Sequence, residues 1–298
     1  MSGRLESSRQ TRRSRRYPNE TENPRLDSRI PGFQFGVRSR SGVEPILRCI
    51  ELASQRRVDA GFTSITWLDF SNAFNSVSRD DIADGINTFA PDFLNAARCA
   101  YGIESDLFIR TEEGAPIVIK SFSGVRQGDP FGPQFFSLAV RPILHELSLH
   151  LGPDHLVLAY LDDIFILGPG GGASQQVNAF LPDRRSPLSL NPATCWEQRL
   201  DDLRDNGAEI LGSLIGPRDG RAAFLASAVD QQRQLIARLP SFPHQHALLL
   251  LRMCNQANLR HLMRSLVTSD IDHLWTELDG VIREELYRIR GRKVRAGC

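Results

Sequence analysis

Asp69, Asp162 and Asp163 are the residues whose types and spacing point most directly to chemistry. Asp69 follows the segment ITWL, and the Asp162–Asp163 pair follows the segment LVLAYL. Carboxylates beside apolar sequence resist the loss of water, and adjacent carboxylates repel each other. They are tolerated where a divalent cation neutralises them or where they stay in water. A polar β-turn also explains the pair, because Asp favours turns.

The three aspartates become a metal site only if the fold brings them together. Three carboxylates suit hard ions such as Mg²⁺ or Mn²⁺, which keep waters and phosphate oxygens in their coordination shell. Two such ions about 3.5–4 Å apart activate an attacking hydroxyl and stabilise a leaving oxygen in phosphoryl transfer. This chemistry serves polymerases and some nucleases alike.

The local patterns predict the elements that would position these aspartates. An apolar run predicts a buried strand that ends at Asp69, and two further runs predict strands joined across Asp162 and Asp163. Ser78, followed three residues later by Asp81, predicts the start of a helix. Other segments predict a helix over 43–53, a hairpin over 107–119, a long helix from about 130 to 147 and helices beyond 222.

Charge is distributed unevenly along the 298 residues, although the net charge is only +1. Residues 1–60 carry 13 basic and 7 acidic side chains, residues 61–217 carry 10 and 20, and residues 218–298 carry 13 and 8. This pattern suggests cations bound in the middle and polyanions at the flanks, or simply a solvated surface. No apolar run approaches a membrane span, and the five scattered Cys residues favour a reduced compartment over a disulfide scaffold or zinc ribbon.

Three ordered segments resemble the palm motifs of reverse transcriptases. They are LDFSNAF at 68–74, GVRQGDP at 124–130 and YLDD at 160–163, which matches the Tyr-x-Asp-Asp signature. Each segment is short, but their order and spacing together are specific. QFGV at 34–37, LSLNPATC at 188–195 and ILGS at 210–213 resemble further motifs of non-LTR (LINE-type) retrotransposon enzymes. The resemblance covers about residues 33–290.

The resemblance implies an α+β fold: a right-hand polymerase palm, with an antiparallel sheet and helices on one face, partial fingers and an all-helical thumb. It divides the chain into four parts. Residues 1–31 form a disordered Arg-rich arm, 32–60 a remnant of the fingers, 61–217 the palm with part of the fingers, and 218–298 a helical thumb and basic tail. The enzyme is expected to be a monomer or part of a larger polyprotein.

The resemblance also assigns roles to residues. RNA-directed DNA polymerase activity would add dNMP to a primer 3′-hydroxyl, with two Mg²⁺ or Mn²⁺ ions held by Asp69, the Phe70 carbonyl, Asp162 and Asp163. Phe74 would exclude the ribose 2′-hydroxyl. Further nucleotide and nucleic-acid contacts are expected at Gln127, Gly128, Arg126, Arg252, Arg260 and Arg264. The partners would be an RNA template, a DNA primer and dNTP.

Two departures from the family pattern leave other functions open. Thr194 stands where relatives commonly carry a Lys that protonates the leaving pyrophosphate, and neutral Thr is not a strong acid. The fingers segment that usually precedes Gln34 is not recognisable, so the chain resembles a truncated or degenerate copy. A catalytically inactive remnant that binds nucleic acid and a metal-dependent nuclease are the alternatives. The Arg cluster at 12–16 suggests an intracellular, nuclear location.

Overall fold

A computed structural model describes residues 32–39, 41–56, 61–110, 114, 116–126, 128–180, 189–191, 193–255 and 259–290. The predicted Arg-rich arm over 1–31 and the last eight residues, 291–298, lie outside these ranges. Within them, no helix is both long enough and apolar enough to cross a membrane.

The described chain contains eight strands in three sheets. In chain order the strands are β1 Ser64–Asp69, β2 Ser105–Ile109, β3 Ile117–Ser121, β4 Leu156–Tyr160, β5 Asp163–Gly168, β6 Trp196–Arg199, β7 Ala208–Ile210 and β8 Ser213–Ile215. The main sheet is antiparallel with the order β4-β5-β1-β6, while β2–β3 and β7–β8 form separate hairpins. The predicted strands at β1, β4 and β5 and the predicted β2–β3 hairpin are therefore confirmed.

The helices are interspersed among these strands up to β8 and then follow one another. They are α1 Phe35–Arg38, α2 Val43–Ser54, α3 Ala73–Ser76, α4 Arg79–Phe89, α5 Leu94–Tyr101, α6 Gly132–Leu151, α7 Ala173–Phe180, α8 Leu200–Asn206, α9 Arg218–Ile236, α10 His244–Leu250, α11 Arg260–Ser265 and α12 His273–Ile289. The Ser78 hydroxyl caps α4 by accepting a hydrogen bond from the backbone N–H of Asp80, as the sequence predicted.

Both faces of the main sheet are covered. Alternation along the strands sends Leu68, Ile164 and Ile166 toward α4, α6 and α7, in the larger hydrophobic cluster. The opposite residues, including Ile65 and Phe165, pack with α2 and α8. The predicted α+β class is confirmed, and the structure adds a second helical layer to the expected one-sided arrangement. Asp69 and Asp163 share the face of Ile65 and Phe165, at the strand ends, where they are only half-buried.

The helices after β8 contain two smaller hydrophobic clusters of their own, around Leu225 and around Ile236. Leu214 of β8 packs against the first of these clusters, and polar contacts also join the helices to the sheet region. The Arg264 guanidinium forms an ion pair with Glu44 of α2 (N···O 2.7 Å), and a ring nitrogen of His261 lies 2.9 Å from the backbone oxygen of Leu211. The helical segment is thus attached beside α2 and the β7–β8 turn.

Candidate active site

Asp69 and Asp163 stand side by side across the central pair of strands. Asp69 is the last residue of β1, Asp163 is the first of β5, and the antiparallel register places them directly opposite each other. Opposed residues of this kind project from the same face with Cβ atoms about 4.5–5.5 Å apart, and like charges there are unfavourable. The fold therefore places two carboxylates where they destabilise each other unless a cation or a proton lies between them.

Asp162 lies in the two-residue turn that joins β4 to β5, beside this pair. Burial raises the pKa of its carboxyl, and the nearby Asp69 raises it further. The same effects are larger at Asp163: burial is the main cause that raises its pKa to about 6, and Asp162 and Asp69 add to it, while a hydrogen bond from Trp67 opposes the shift. The third predicted carboxylate thus interacts electrostatically with the first two.

Neutral groups hold the two opposed carboxylates. The Thr194 hydroxyl donates to Oδ2 of Asp69 at 2.7 Å, and the Trp67 indole Nε1–H donates to Oδ1 of Asp163 at 3.0 Å. The thiol sulfur of Cys195 accepts from the backbone N–H of Asp69 at 3.4 Å. Across the described ranges, no Arg or Lys forms an ion pair with Asp69, Asp162 or Asp163. The negative charge of the site therefore has no internal counter-charge there.

The donor set fits a hard divalent cation, although it is not a closed cage. No group of three or more His, Cys, Asp or Glu side chains in the described part of the chain is arranged as a preformed metal site. Mg²⁺ usually binds through one or two carboxylates and completes its shell with waters and substrate phosphates. Two opposed carboxylates without a counter-charge and a third beside them meet that requirement.

Phe70 and Phe74 follow Asp69 in the turn that leads to α3. Phe70 forms an isolated antiparallel bridge with Leu190, in which the hydrogen bonds are made by the neighbouring residues 69 and 71. The carbonyl of Phe70 is therefore not directed at this strand partner. The Phe74 ring is half-buried and stacks on Phe136 with the ring centroids 4.4 Å apart, which fixes its orientation.

The loop over 123–129 is attached to the α3 turn. The Val125 N–H donates to the Phe74 carbonyl, and the Gly124 N–H donates to the Val77 carbonyl, each at 2.8 Å. Gly124 has a φ of +71°, and a Cβ atom there would lie 2.5 Å from Asn75 Cα, so only Gly fits this contact. The fold thus brings the second predicted motif against the first. Gly128 is exposed in this loop, and Gln127 lies outside the described residues.

The predicted nucleic-acid contacts are placed on two parts of the molecule. Arg126 is exposed, with its guanidinium 5.5 Å from the ring centroid of Tyr101 and hydrogen-bonded to Ser105. Arg252 and Arg260 are exposed on the C-terminal helical segment. Arg264 is exposed as well, but it is engaged in the ion pair with α2 described above.

Trp67 and Thr194 are among the groups whose contacts at the site the sequence did not predict. A period of two along β1 places Trp67 on the same face as Asp69, so strand alternation alone could have drawn attention to it. Thr194 drew attention only as a departure from the family pattern. Its bond to Asp69 spans 125 positions, and no local signal in the sequence indicates it.

Among solved structures, the chain is similar to those of yeast telomerases. Apo telomerase from Candida tropicalis, truncated from its C-terminal domain, has a TM-score of 0.47 at 13% identity, over 61% of this chain and 40% of that one. Telomerase from Candida albicans in complex with a TWJ fragment of telomeric RNA has a TM-score of 0.46 at 10% identity, over 86% and 50%. The chain therefore spans half or less of the length of these structures.

A comparison with protein families identifies the chain by sequence. No curated protein matches the chain. The family described as "Reverse transcriptase (RNA-dependent DNA polymerase)" matches residues 13–182, which is more than half of the chain and includes all three aspartates. The chain belongs to the reverse transcriptase (RNA-dependent DNA polymerase) family.

Proposed function

We propose that the chain is an RNA-directed DNA polymerase that adds dNMP to a primer 3′-hydroxyl on an RNA template. The observation that carries this proposal is the pairing of Asp69 with Asp163 across β1 and β5, with Asp162 in the adjoining turn. The 3′-oxygen forms a bond to the α-phosphorus of a dNTP, the bond from that phosphorus to the leaving oxygen breaks, and pyrophosphate is released.

The aspartates and the Phe70 carbonyl would hold two Mg²⁺ or Mn²⁺ ions. When bound, these ions lower the pKa of the attacking hydroxyl and neutralise charge on the leaving oxygen. The chain's own residues orient that site: Thr194 fixes one oxygen of Asp69, and Trp67 fixes one oxygen of Asp163. Burial, with the neighbouring carboxylates adding to it, raises the pKa values of Asp162 and Asp163. A bound cation would offset this penalty and hold both carboxylates in their ionised form.

Phe74 is proposed to select deoxynucleotides. Its ring is fixed against Phe136 and is half-buried, so it presents a rigid obstacle rather than a mobile side chain. A ribose 2′-hydroxyl would collide with the ring, whereas a deoxyribose would not. We propose further that Gln127 and Gly128 contact the nucleotide, and that Arg126, Arg252, Arg260 and Arg264 contact the nucleic-acid backbone.

Primer extension on an RNA template tests the proposed reaction. Wild type is expected to incorporate dNMP with Mg²⁺ or Mn²⁺, and Asp162→Asn and Asp163→Asn are expected to lose this activity. Asp154→Asn, which changes an exposed aspartate just before β4, is the matched control and should keep it. Equal incorporation by the wild type and the two site variants would refute the proposed chemistry.

Under the same conditions, the Phe74→Val variant should incorporate rNMP from rNTP far better than wild type does.

A catalytically inactive, nucleic-acid-binding protein is the second candidate function. Thr194 favours this inactive candidate, because its hydroxyl is too weak an acid to protonate pyrophosphate. The same hydroxyl already donates a hydrogen bond to Asp69. Salt-dependent binding of RNA without incorporation under either metal would support this candidate. Cleavage of unprimed nucleic acid would instead indicate a metal-dependent nuclease.

The non-LTR retrotransposon origin is also a proposal. It is supported by the segments 34–37, 188–195 and 210–213, which resemble motifs of LINE-type enzymes. The Arg cluster at 12–16 supports a nuclear location for such a protein.

A further inference from the structure

The side chain of Gln34 makes a set of hydrogen bonds at the turn that carries Asp162. Its Nε2–H donates to the Leu161 carbonyl at 3.1 Å, and its Oε1 accepts from the Leu161 N–H at 2.7 Å. Oε1 also accepts from the N–H of Gly36 at 3.1 Å. Gln34 is only 1% exposed, so these bonds form away from competing water. One buried amide thus binds both backbone polar groups of a single residue.

Leu161 has a backbone conformation that requires such support. Its φ is +58°, in the left-handed region where a residue with a branched side chain meets steric conflict. Leu161 is one of the two central residues of the β4–β5 turn, directly before Asp162 and Asp163. A turn built on a Leu in this region persists only where its surroundings fix it.

The backbone around Gln34 is itself fixed against β4. The Ala159 N–H donates to the Phe33 carbonyl at 2.8 Å, and Gln34 forms a parallel bridge with Ala159. At Gly36, a Cβ atom would lie 2.7 Å from Leu161 Cγ and 2.9 Å from Leu161 N, so Gly is required for this close approach. The segment 33–36 is therefore docked on the turn from the sheet edge.

We propose that Gln34 is a positioning residue that holds the Leu161 turn and thereby sets Asp162 and Asp163 against Asp69. It acts through the backbone of Leu161 and touches neither substrate nor metal. The catalytic consequence rests on the proposed polymerase function, but the effect on the turn does not. Glutamine suits the role because a single neutral amide supplies both the donor and the acceptor that Leu161 needs. A carboxylate would lose the donor and add negative charge beside Asp162.

The test uses variants that remove the hydrogen bonds and keep the volume. Gln34→Met removes both bonds to Leu161 and the bond from Gly36. Gln34→Glu removes only the donor and serves as a second variant if the first does not fold. Gln232→Met is the matched control, since Gln232 is also 1% exposed but lies in α9. Amide hydrogen exchange over residues 160–163 is the primary measurement, and it does not depend on activity. Mn²⁺ binding to the protein alone, followed by the resonance of free Mn²⁺, is the second.

Gln34→Met is expected to speed exchange at the Leu161 amide by about tenfold, which corresponds to the loss of one or two hydrogen bonds. Its Mn²⁺ affinity should fall by about fivefold, since the ligands are no longer held in place. Gln232→Met should change neither. Adding Leu161→Gly should reduce both effects of Gln34→Met, because Gly adopts a positive φ without support.

Two results would overturn the proposal. One is unchanged exchange over residues 160–163 in a folded Gln34 variant. The other is an equal increase in Gln232→Met, which would indicate general loosening rather than a local effect. If wild type incorporates no dNMP, the polymerase proposal fails, while the exchange measurement still decides whether Gln34 holds the turn.

Discussion

The carboxylates at the end of the main sheet and those in the C-terminal helical segment are held in opposite ways. In that segment, Asp270, in the turn between α11 and α12, receives two bonds of 2.8 Å from the guanidinium of Arg221, and Glu285 in α12 is bound by Arg288 at 2.8 Å. Arg221 holds the pKa of Asp270 below its usual value, whereas burial and like charges raise the pKa of Asp163 to about 6. Asp270 and Glu285 are thus paired with Arg side chains of the same chain, whereas the aspartates at the sheet end are left to bind a cation from solution.

This difference separates structural from functional carboxylates. A charge paired with Arg stabilises the fold modestly and has little left to offer a cation. Two opposed carboxylates fixed by a hydroxyl and an indole have no cationic partner among the described residues, so their charge remains available to a bound cation. We therefore expect Asp→Asn substitutions to have different effects in the two regions. At the sheet end they should lower activity and raise the stability of the fold. In the C-terminal segment they should lower stability and leave activity unchanged.

The largest expected effect is on activity at Asp69. Asp69→Asn keeps the size of the side chain and removes the charge that would hold a metal ion. Because a bound ion contributes several kcal/mol to the transition state, dNMP incorporation should fall by about a thousandfold. Single-turnover primer extension measures this, with Asp154→Asn as the control. A decrease of less than about tenfold would mean that Asp69 does not belong to the reacting site.

Neutralising Asp163 should stabilise the metal-free protein in a pH-dependent way. Since its pKa is raised in the folded state, the native protein binds the proton more tightly than the unfolded chain does, and ionisation destabilises the fold as the pH rises from about 4 to about 6. Asp163→Asn should therefore add about 1 kcal/mol above pH 7, after allowance for solvent screening of a partly exposed group, and nothing at pH 4. Thermal unfolding in EDTA measures the difference. An unchanged or lower melting temperature at pH 8 would contradict it.

Asp270→Asn should have the opposite effect in the helical region. It leaves the Arg221 guanidinium, whose side chain is 11% exposed, without its charged partner. The expected loss is about 1 kcal/mol, or roughly 2 °C in melting temperature. Incorporation of dNMP at a temperature well below melting should stay at the wild-type level. A large loss of activity with unchanged stability would remove the contrast between the two regions.

Local sequence patterns predicted the pieces of this site better than their assembly. The apolar runs gave β1, β4 and β5, and the Ser78 signal gave the start of α4, because burial and capping are local effects. The register that opposes Asp69 to Asp163 joins strands 94 positions apart, and only the family resemblance indicated it. The edge strand β6, of sequence WEQR, lacks an apolar pattern and is ordered by its pairing with β1.

The smallest expected effect concerns the neutral donors. Trp67→Phe removes the indole N–H from Asp163 but retains an aromatic ring that can stack with Phe165, whose centroid lies 6.4 Å from that of Trp67. Since the Trp67 bond lowers the pKa of Asp163, its loss should raise that pKa further and reduce incorporation near pH 7 by about threefold. The reduction should become smaller at pH 8.5, where Asp163 is ionised in both proteins. Titration of the Asp163 carboxyl by ¹³C NMR measures the pKa directly. A loss of activity that is independent of pH would assign Trp67 to packing alone, and the orientation of Asp163 would then depend on the β4–β5 turn rather than on the indole.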